Sequence, residues 1–125
     1  MRKVISSKNA PAAVGPYSQG IEVSNMIFFS GQIPVNPETG QIEAEDIAGQ
    51  TKQSLSNLKA LLAEEGCDFD NVVKTTVLLA DMSLFDGMNE VYKSQFTEPF
   101  PARSTFAVKA LPKGALVEIE AIAMK

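Results

Sequence analysis

The chain contains no histidine and a single cysteine, Cys67. Without an imidazole base, the Ser-His-Asp and Cys-His arrangements of nucleophilic catalysis are excluded. Zinc sites built from His and Cys, including that of the zinc deaminases, go with them. Carboxylate-only sites for Mg²⁺ or Ca²⁺ stay open in principle, but no Asp-rich loop of EF-hand type is visible. No metal and no cofactor are expected. Cys67 has no partner for an intramolecular disulfide, which fits a reducing compartment. It follows Gly66 at the end of a predicted helix and reads as a structural thiol.

Positive charge is also scarce. Eleven Lys and Arg stand against 15 Asp and Glu, a net charge of −4. Affinity for nucleic acid comes mainly from cations neutralising phosphates, and no run of Lys or Arg appears, so nucleic acid is not an expected partner. Nor does any segment approach the roughly 20 apolar residues of a membrane span. The stretch Met1-Arg2-Lys3-Val4-Ile5-Ser6-Ser7-Lys8-Asn9 is charged, and no apolar run of signal-peptide length follows it. A soluble, cytoplasmic protein with no membrane partner is expected.

What is present suits one ordinary domain spanning residues 1–125, with 45% hydrophobic and 21% charged residues. Between Asp46 and Glu65, the positions Ile47, Thr51, Leu55, Leu58 and Leu62 form one stripe on a 3.6-residue period, with Leu61 beside them. Glu45 and Asp46 favour its start and Gly66 its end. A second helix is predicted from about Ser83 to Phe96, with Phe85, Met88, Tyr92 and Phe96 as its apolar face and a capping-box-like Ser83 and Asp86. Gly87 weakens it.

Strands are predicted at Met26–Ser30 and Val72–Ala80, which are rich in apolar and β-branched residues, and at Lys3–Ser6 and Ile21–Val23. From Arg103 to Ala110, Ser104, Phe106 and Val108 alternate with Arg103, Thr105 and Lys109. From Leu116 to Met124, Val117, Ile119, Ala121 and Ala123 oppose Leu116, Glu118, Glu120 and Ile122. Pro34 to Gly40 reads as a loop and Pro112-Lys113-Gly114 as a turn. The order β-β-β-α-β-α-β-β implies an α+β fold: a mixed sheet of about six strands with two helices on one face. The uncovered face meets either solvent or another subunit.

The chemical groups left are Arg103, the pair Glu118 and Glu120, Tyr17 and polar backbone turns. An arginine fork grips a planar carboxylate through two charge-assisted hydrogen bonds, although at the start of a strand it also serves as a surface ion-pair partner. A strand glutamate can orient or deprotonate a water, or simply be solvated. Read alone, the residues leave both choices open.

Combined motifs narrow them. Gly15-Pro16-Tyr17-Ser18-Gln19-Gly20, Ser30-Gly31-Gln32-Ile33-Pro34, Pro101-Ala102-Arg103-Ser104 and Val117-Glu118-Ile119-Glu120-Ala121-Ile122-Ala123 occur in that order, with Asn9-Ala10-Pro11 and Val73-Lys74-Thr75-Thr76-Val77 between or before them. In these stretches the chain resembles the RidA/YjgF family of reactive-intermediate deaminases over essentially its whole length. The resemblance implies a chorismate-mutase-like α+β domain, a homotrimer and sites in the clefts between subunits. It implies hydrolysis of 2-iminobutanoate and 2-iminopropanoate, which arise when pyridoxal-phosphate dehydratases act on threonine or serine. By the same resemblance Arg103 binds the substrate carboxylate and Glu118 positions the attacking water, while Tyr17, Ser30, Gly31 and Asn89 line the pocket. Thr105 stands where many relatives have cysteine; the contact there is implied to be made by the backbone.

The implied reaction fits the sparse toolkit. An enamine tautomerises to an imine, water adds to the C=N carbon, and the carbinolamine expels ammonia to leave a 2-keto acid. Positioning substrate and water supplies much of such a rate enhancement. If the last two strands form a hairpin around Lys113, Arg103 faces Met124 and Lys109 faces Glu118. Arg103 and Glu118 are then about 20 Å apart at 3.3 Å per residue, too far for one small acid. Either they come from different subunits or these strands are not hairpin partners. Three further readings remain: a deaminase of another enamine acid such as aminoacrylate, a non-catalytic regulatory module that binds a 2-keto acid, and an RNA-cleaving or translation-inhibiting protein. The missing histidines and negative charge argue against the last.

Overall fold

In the computed structural model, which describes residues 1–125, the eight regular elements follow the expected order. Strands β1 (Lys3–Ile5), β2 (Gly20–Val23) and β3 (Met26–Gln32) precede helix α1 (Ile47–Ala63). Strand β4 (Val72–Leu79), helix α2 (Phe85–Gln95), β5 (Ala102–Ala107) and β6 (Val117–Met124) complete the chain. Asp46 caps α1 through Oδ1, which accepts the Gly49 N–H at 2.8 Å. Gly66, at φ 68°, closes it in a turn where the Cys67 N–H donates to the Leu62 carbonyl at 3.0 Å.

The start of α2 differs from expectation. Ser83 and Asp86 form no capping box. A 3₁₀ turn over Met82–Leu84 comes first, and Asp81 caps it by accepting the Ser83 N–H at 2.8 Å. A shorter α2 then begins at Phe85, and Val91 joins Met88, Tyr92 and Phe96 in its buried face. Strand β3 runs two residues beyond the predicted end, to Gln32, and β5 stops at Ala107 rather than Ala110.

The six strands make one sheet in the order β1-β2-β3-β6-β4-β5, antiparallel except for the β4–β5 pair. Of the two arrangements left open for the last strands, the structure has the one in which β5 and β6 are not hairpin partners. Strand β6 inserts between β3 and β4, and β5 lies at the edge beyond β4. The reason lies in the residues. Val117, Ile119, Ala121 and Ala123 of β6 are buried, and their small and β-branched side chains let α1 pack down on a central strand. Strand β5 carries Arg103, Ser104 and Thr105 and is exposed or half-exposed throughout, which suits an edge. The chain crosses from β4 through α2 to a parallel β5, as a strand-helix-strand unit requires.

Both helices cover one face. Ile5, Ile27, Phe29, Val77, Leu79 and Ile119 from the sheet join Leu55, Leu58, Leu61, Leu62 and Met88 from the helices in one core. Each such large side chain contributes about 1.5–3 kcal/mol on burial. The opposite face has no cover, and Val4, Phe28, Phe106 and Met124 on it are each more than 40% exposed.

Candidate active site

Glu118 projects from the uncovered face of β6. Beside it, the pairing of β3 with β6 steps from Phe29↔Ala121 to Gln32↔Ile119, so Ser30 and Gly31 form a bulge opposite Glu120. A bulge re-aims a strand next to a site. Gly31 here lies directly against the glutamate: a β-carbon on it would stand 2.8 Å from Glu118 Cδ. No residue but glycine leaves that carboxylate in place.

The loop before β2 closes this corner. Ser30 Oγ donates to the Ser18 carbonyl at 2.6 Å, and the Ser30 N–H donates to the Gln19 carbonyl at 3.0 Å. Gln19 is buried and reaches back, donating to the Pro11 carbonyl at 2.6 Å and accepting the Ser7 N–H at 2.9 Å. Tyr17, carried on this loop, is 53% exposed at the mouth of a cleft of about 690 Å³ that also includes Ser30, Gly31, Ile33 and Glu118. Burial, and then the neighbouring Glu120, push the Glu118 carboxyl above its ordinary pKa. A carboxylate raised in this way can exchange a proton with a bound water.

Arg103 lies on the other face. Its register partner Thr75 is fully buried under α2, so Arg103 points to the helix side of the sheet. There α2 offers Phe85, Asn89 and Tyr92, spaced i, i+4 and i+7 on one helix face. The guanidinium lies 4.7 Å from the Tyr92 ring centroid and 5.5 Å from that of Phe85, and Nη1 donates to Asn89 Oδ1 at 2.7 Å. Tyr92 is itself fixed by a 2.7 Å hydrogen bond with Thr75. A smaller cleft of about 410 Å³ opens here, with Lys93 as a second cation.

The ion pairs of the chain join Lys3 and Lys125 with Glu22 and Glu65, so Arg103 has no acidic partner. That removes the ion-pair reading of this residue. One nitrogen is bound by Asn89 and the rest of the fork is open to an anion. The backbone adds to this. Val108 N–H donates to Leu79 of β4, so by strand alternation the N–H groups of Arg103 and Thr105 point to the open edge. The Thr105 hydroxyl is buried without a partner and does not line the cleft.

The seven residues singled out from the sequence thus fall into two groups. Tyr17, Ser30, Gly31 and Glu118 share one cleft; Arg103 and Asn89 share another, with Thr105 beside them. Sequence reasoning missed the aromatic shelf under Arg103, because Phe85 and Tyr92 read only as core; their spacing with Asn89 was the available signal. It also missed Gln19 as the latch of the loop. Glu118 lies two strands from Arg103 and three residues out of register, about 14 Å between α-carbons, and on the opposite face. Within one chain the two groups cannot touch one small substrate. No cluster of three or more Cys, Asp or Glu side chains is gathered that could hold a metal ion.

Comparison with known proteins places this geometry. The family model described as Endoribonuclease L-PSP matches residues 7–125. A mouse protein named 2-iminobutanoate/2-iminopropanoate deaminase is 52% identical over 125 residues, covering 100% of this chain and 93% of its own length. The crystal structure of a conserved Rid family protein from Yersinia pestis superposes with a TM-score of 0.97 at 48% identity, covering 100% of both chains. That of the E. coli YjgF gene product superposes with a TM-score of 0.93 at 50% identity, covering 98% of each. With its motif set and full-length similarity, the chain belongs to the RidA/YjgF family, the one whose model carries the Endoribonuclease L-PSP description.

Proposed function

We propose that this chain, acting as one domain over residues 1–125, hydrolyses reactive 2-imino and 2-enamino acids, such as 2-iminobutanoate and 2-iminopropanoate, to 2-keto acids and ammonia. The observation that carries this reading is the pair of half-sites. One holds an unpaired guanidinium on an aromatic shelf, and the other a half-buried glutamate against a glycine backbone. The similarity to proteins named for this activity supports it.

The chemistry divides between them. Arg103, steadied by Asn89 and Tyr92, grips the substrate carboxylate, with the Thr105 N–H as a neighbouring donor. Glu118 accepts a proton from water as the oxygen bonds to the imine carbon and the C=N electron pair moves to nitrogen. Glu118 returns this proton to the nitrogen, giving the neutral carbinolamine. It then accepts the carbinol O–H proton and passes it to the nitrogen; as the O–H electron pair forms the carbonyl, the C–N bond breaks and ammonia leaves the keto acid. Tyr17 and Ser30 close the cleft around this water, and Gly31 leaves room for the glutamate.

Because the two halves lie on opposite faces, each complete site takes Arg103 from one copy and Glu118 from another. Such head-to-tail pairing closes into a ring, and a homotrimer is the ring implied by the family resemblance. The exposed Val4, Phe28, Phe106 and Met124 give the uncovered sheet face the apolar character of a subunit contact. No helix is long and apolar enough to cross a membrane, and a cytoplasmic location is part of this proposal. The description of the family model names RNA cleavage, but a net charge of −4 and the lack of histidine favour the small acid. Ammonia release from the freshly generated products of a threonine dehydratase tests the proposal. Wild-type protein accelerates it and Arg103→Ala, still folded, does not; full activity in Arg103→Ala would refute the assignment.

A further inference from the structure

Both walls of the Glu118 cleft are fastened from behind by amides of α1. That helix turns Gln50, Thr51, Ser54 and Asn57 inward, and all are buried although polar. Asn57 is fully buried, and its Nδ2 donates to the carbonyls of Ile33 at 3.2 Å and Val35 at 3.0 Å. Those residues lie two and four positions after Gly31 and line the cleft. Gln53 donates to Asn57 Oδ1 at 2.9 Å, which holds the amide with Nδ2 toward that segment. On the other wall, Gln50 Oε1 accepts the N–H of Leu116 at 2.8 Å, two residues before Glu118, while its Nε2 donates to the Ala44 carbonyl at 3.0 Å.

Core stability alone does not call for amides here. Beside Thr51 and Ser54, the inner face is Leu55, Leu58, Leu61 and Leu62, and buried amides contribute little net stability over well-packed leucine. What they supply is fixed distance. One amide ties down the segment leaving Gly31, and the other ties down the start of the strand carrying Glu118.

We infer that Asn57 and Gln50 are positioning residues for the deaminase reaction, which set the gap between the Gly31 backbone and the Glu118 carboxylate. The inference rests on the assignment of Glu118 proposed above. The substitution Asn57→Leu keeps the branched four-heavy-atom side chain and removes both donations to the loop. It is expected to lower kcat for ammonia release about tenfold and to leave KM within about twofold, because the Arg103 half is untouched. The acidic limb of its pH–rate profile moves to lower pH as Glu118 gains water. Gln53→Ala, which only lets the Asn57 amide turn, gives a smaller loss in the same direction and serves if Asn57→Leu does not fold. Leu61→Val, which weakens the same helix without touching the loop, leaves kcat and the limb in place.

An unchanged kcat and pH limb in folded Asn57→Leu, or in Gln53→Ala if that variant alone folds, would overturn the inference. So would an equal loss in Leu61→Val at matched Tm. Glu118→Gln is assayed in parallel. If it is inactive while Asn57→Leu behaves as wild type, only the positioning role fails; if it keeps full turnover, the site assignment fails and the positioning role with it.

Discussion

Gly31 lies so close to Glu118 that a β-carbon built on it would stand 2.8 Å from Cδ and 3.0 Å from Cγ of the glutamate. The atoms in the way belong to the end of a side chain, so an added methyl displaces the carboxylate rather than the backbone. Gly31→Ala is therefore expected to fold with a Tm close to wild type and to lose about tenfold or more in kcat, the scale on which small misplacements act. Steady-state kinetics beside a thermal melt check this. A variant with unaltered kcat would mean that the contact has no part in turnover.

The pH dependence follows from the same carboxyl group. Burial first and Glu120 second raise the pKa of Glu118, so as pH falls the base is lost above the usual carboxylate range. Glu120→Gln removes the second cause only. The acidic limb of kcat/KM should move to lower pH by less than the full displacement, since burial remains. A limb that stays fixed, or moves upward, would contradict the coupling.

A separate cluster controls acid stability. Glu65 accepts from Lys3 and Lys125, each at 2.9 Å, and these two ammonium groups hold its pKa down at about 2. A depressed folded-state pKa gives stability that is present above the unfolded value of 4.5 and lost as pH falls from there through about 2. Glu65→Gln should lower stability at pH 7 by roughly 0.2–1 kcal/mol for each ion pair lost. By pH 2 the difference from wild type should have largely closed. Denaturant melts at the two pH values decide it; an equal deficit at both would show that the ion pairs are not its source.

Much of this fold was legible in the sequence because the signals were local. The alternation of β6 marked which side chains face the core, and Asp46 and Gly66 bounded α1 through cap and turn chemistry. The parallel β4–β5 pairing was not, because it depends on which strand takes the centre of the sheet. Two clues were available: the connection from Val108 to Leu116 is longer than a tight hairpin loop, and β5 is too polar for a central strand. Likewise, Asp81 displaced Ser83 as a cap because a 3₁₀ turn precedes α2. The motifs named the residues of the proposed site, but their division between two faces appears only once β6 is seen between β3 and β4.

That division is tested most directly by mixing two inactive proteins, Arg103→Ala and Glu118→Ala, unfolding them together and allowing them to reassemble. If each site takes its arginine and its glutamate from different copies, random assembly leaves about a quarter of the sites intact. Ammonia release should then recover to about a quarter of the wild-type rate, while each variant treated alone stays inactive. Mixed assemblies that form, as seen by mass spectrometry, yet show no recovered activity would contradict a site shared between chains.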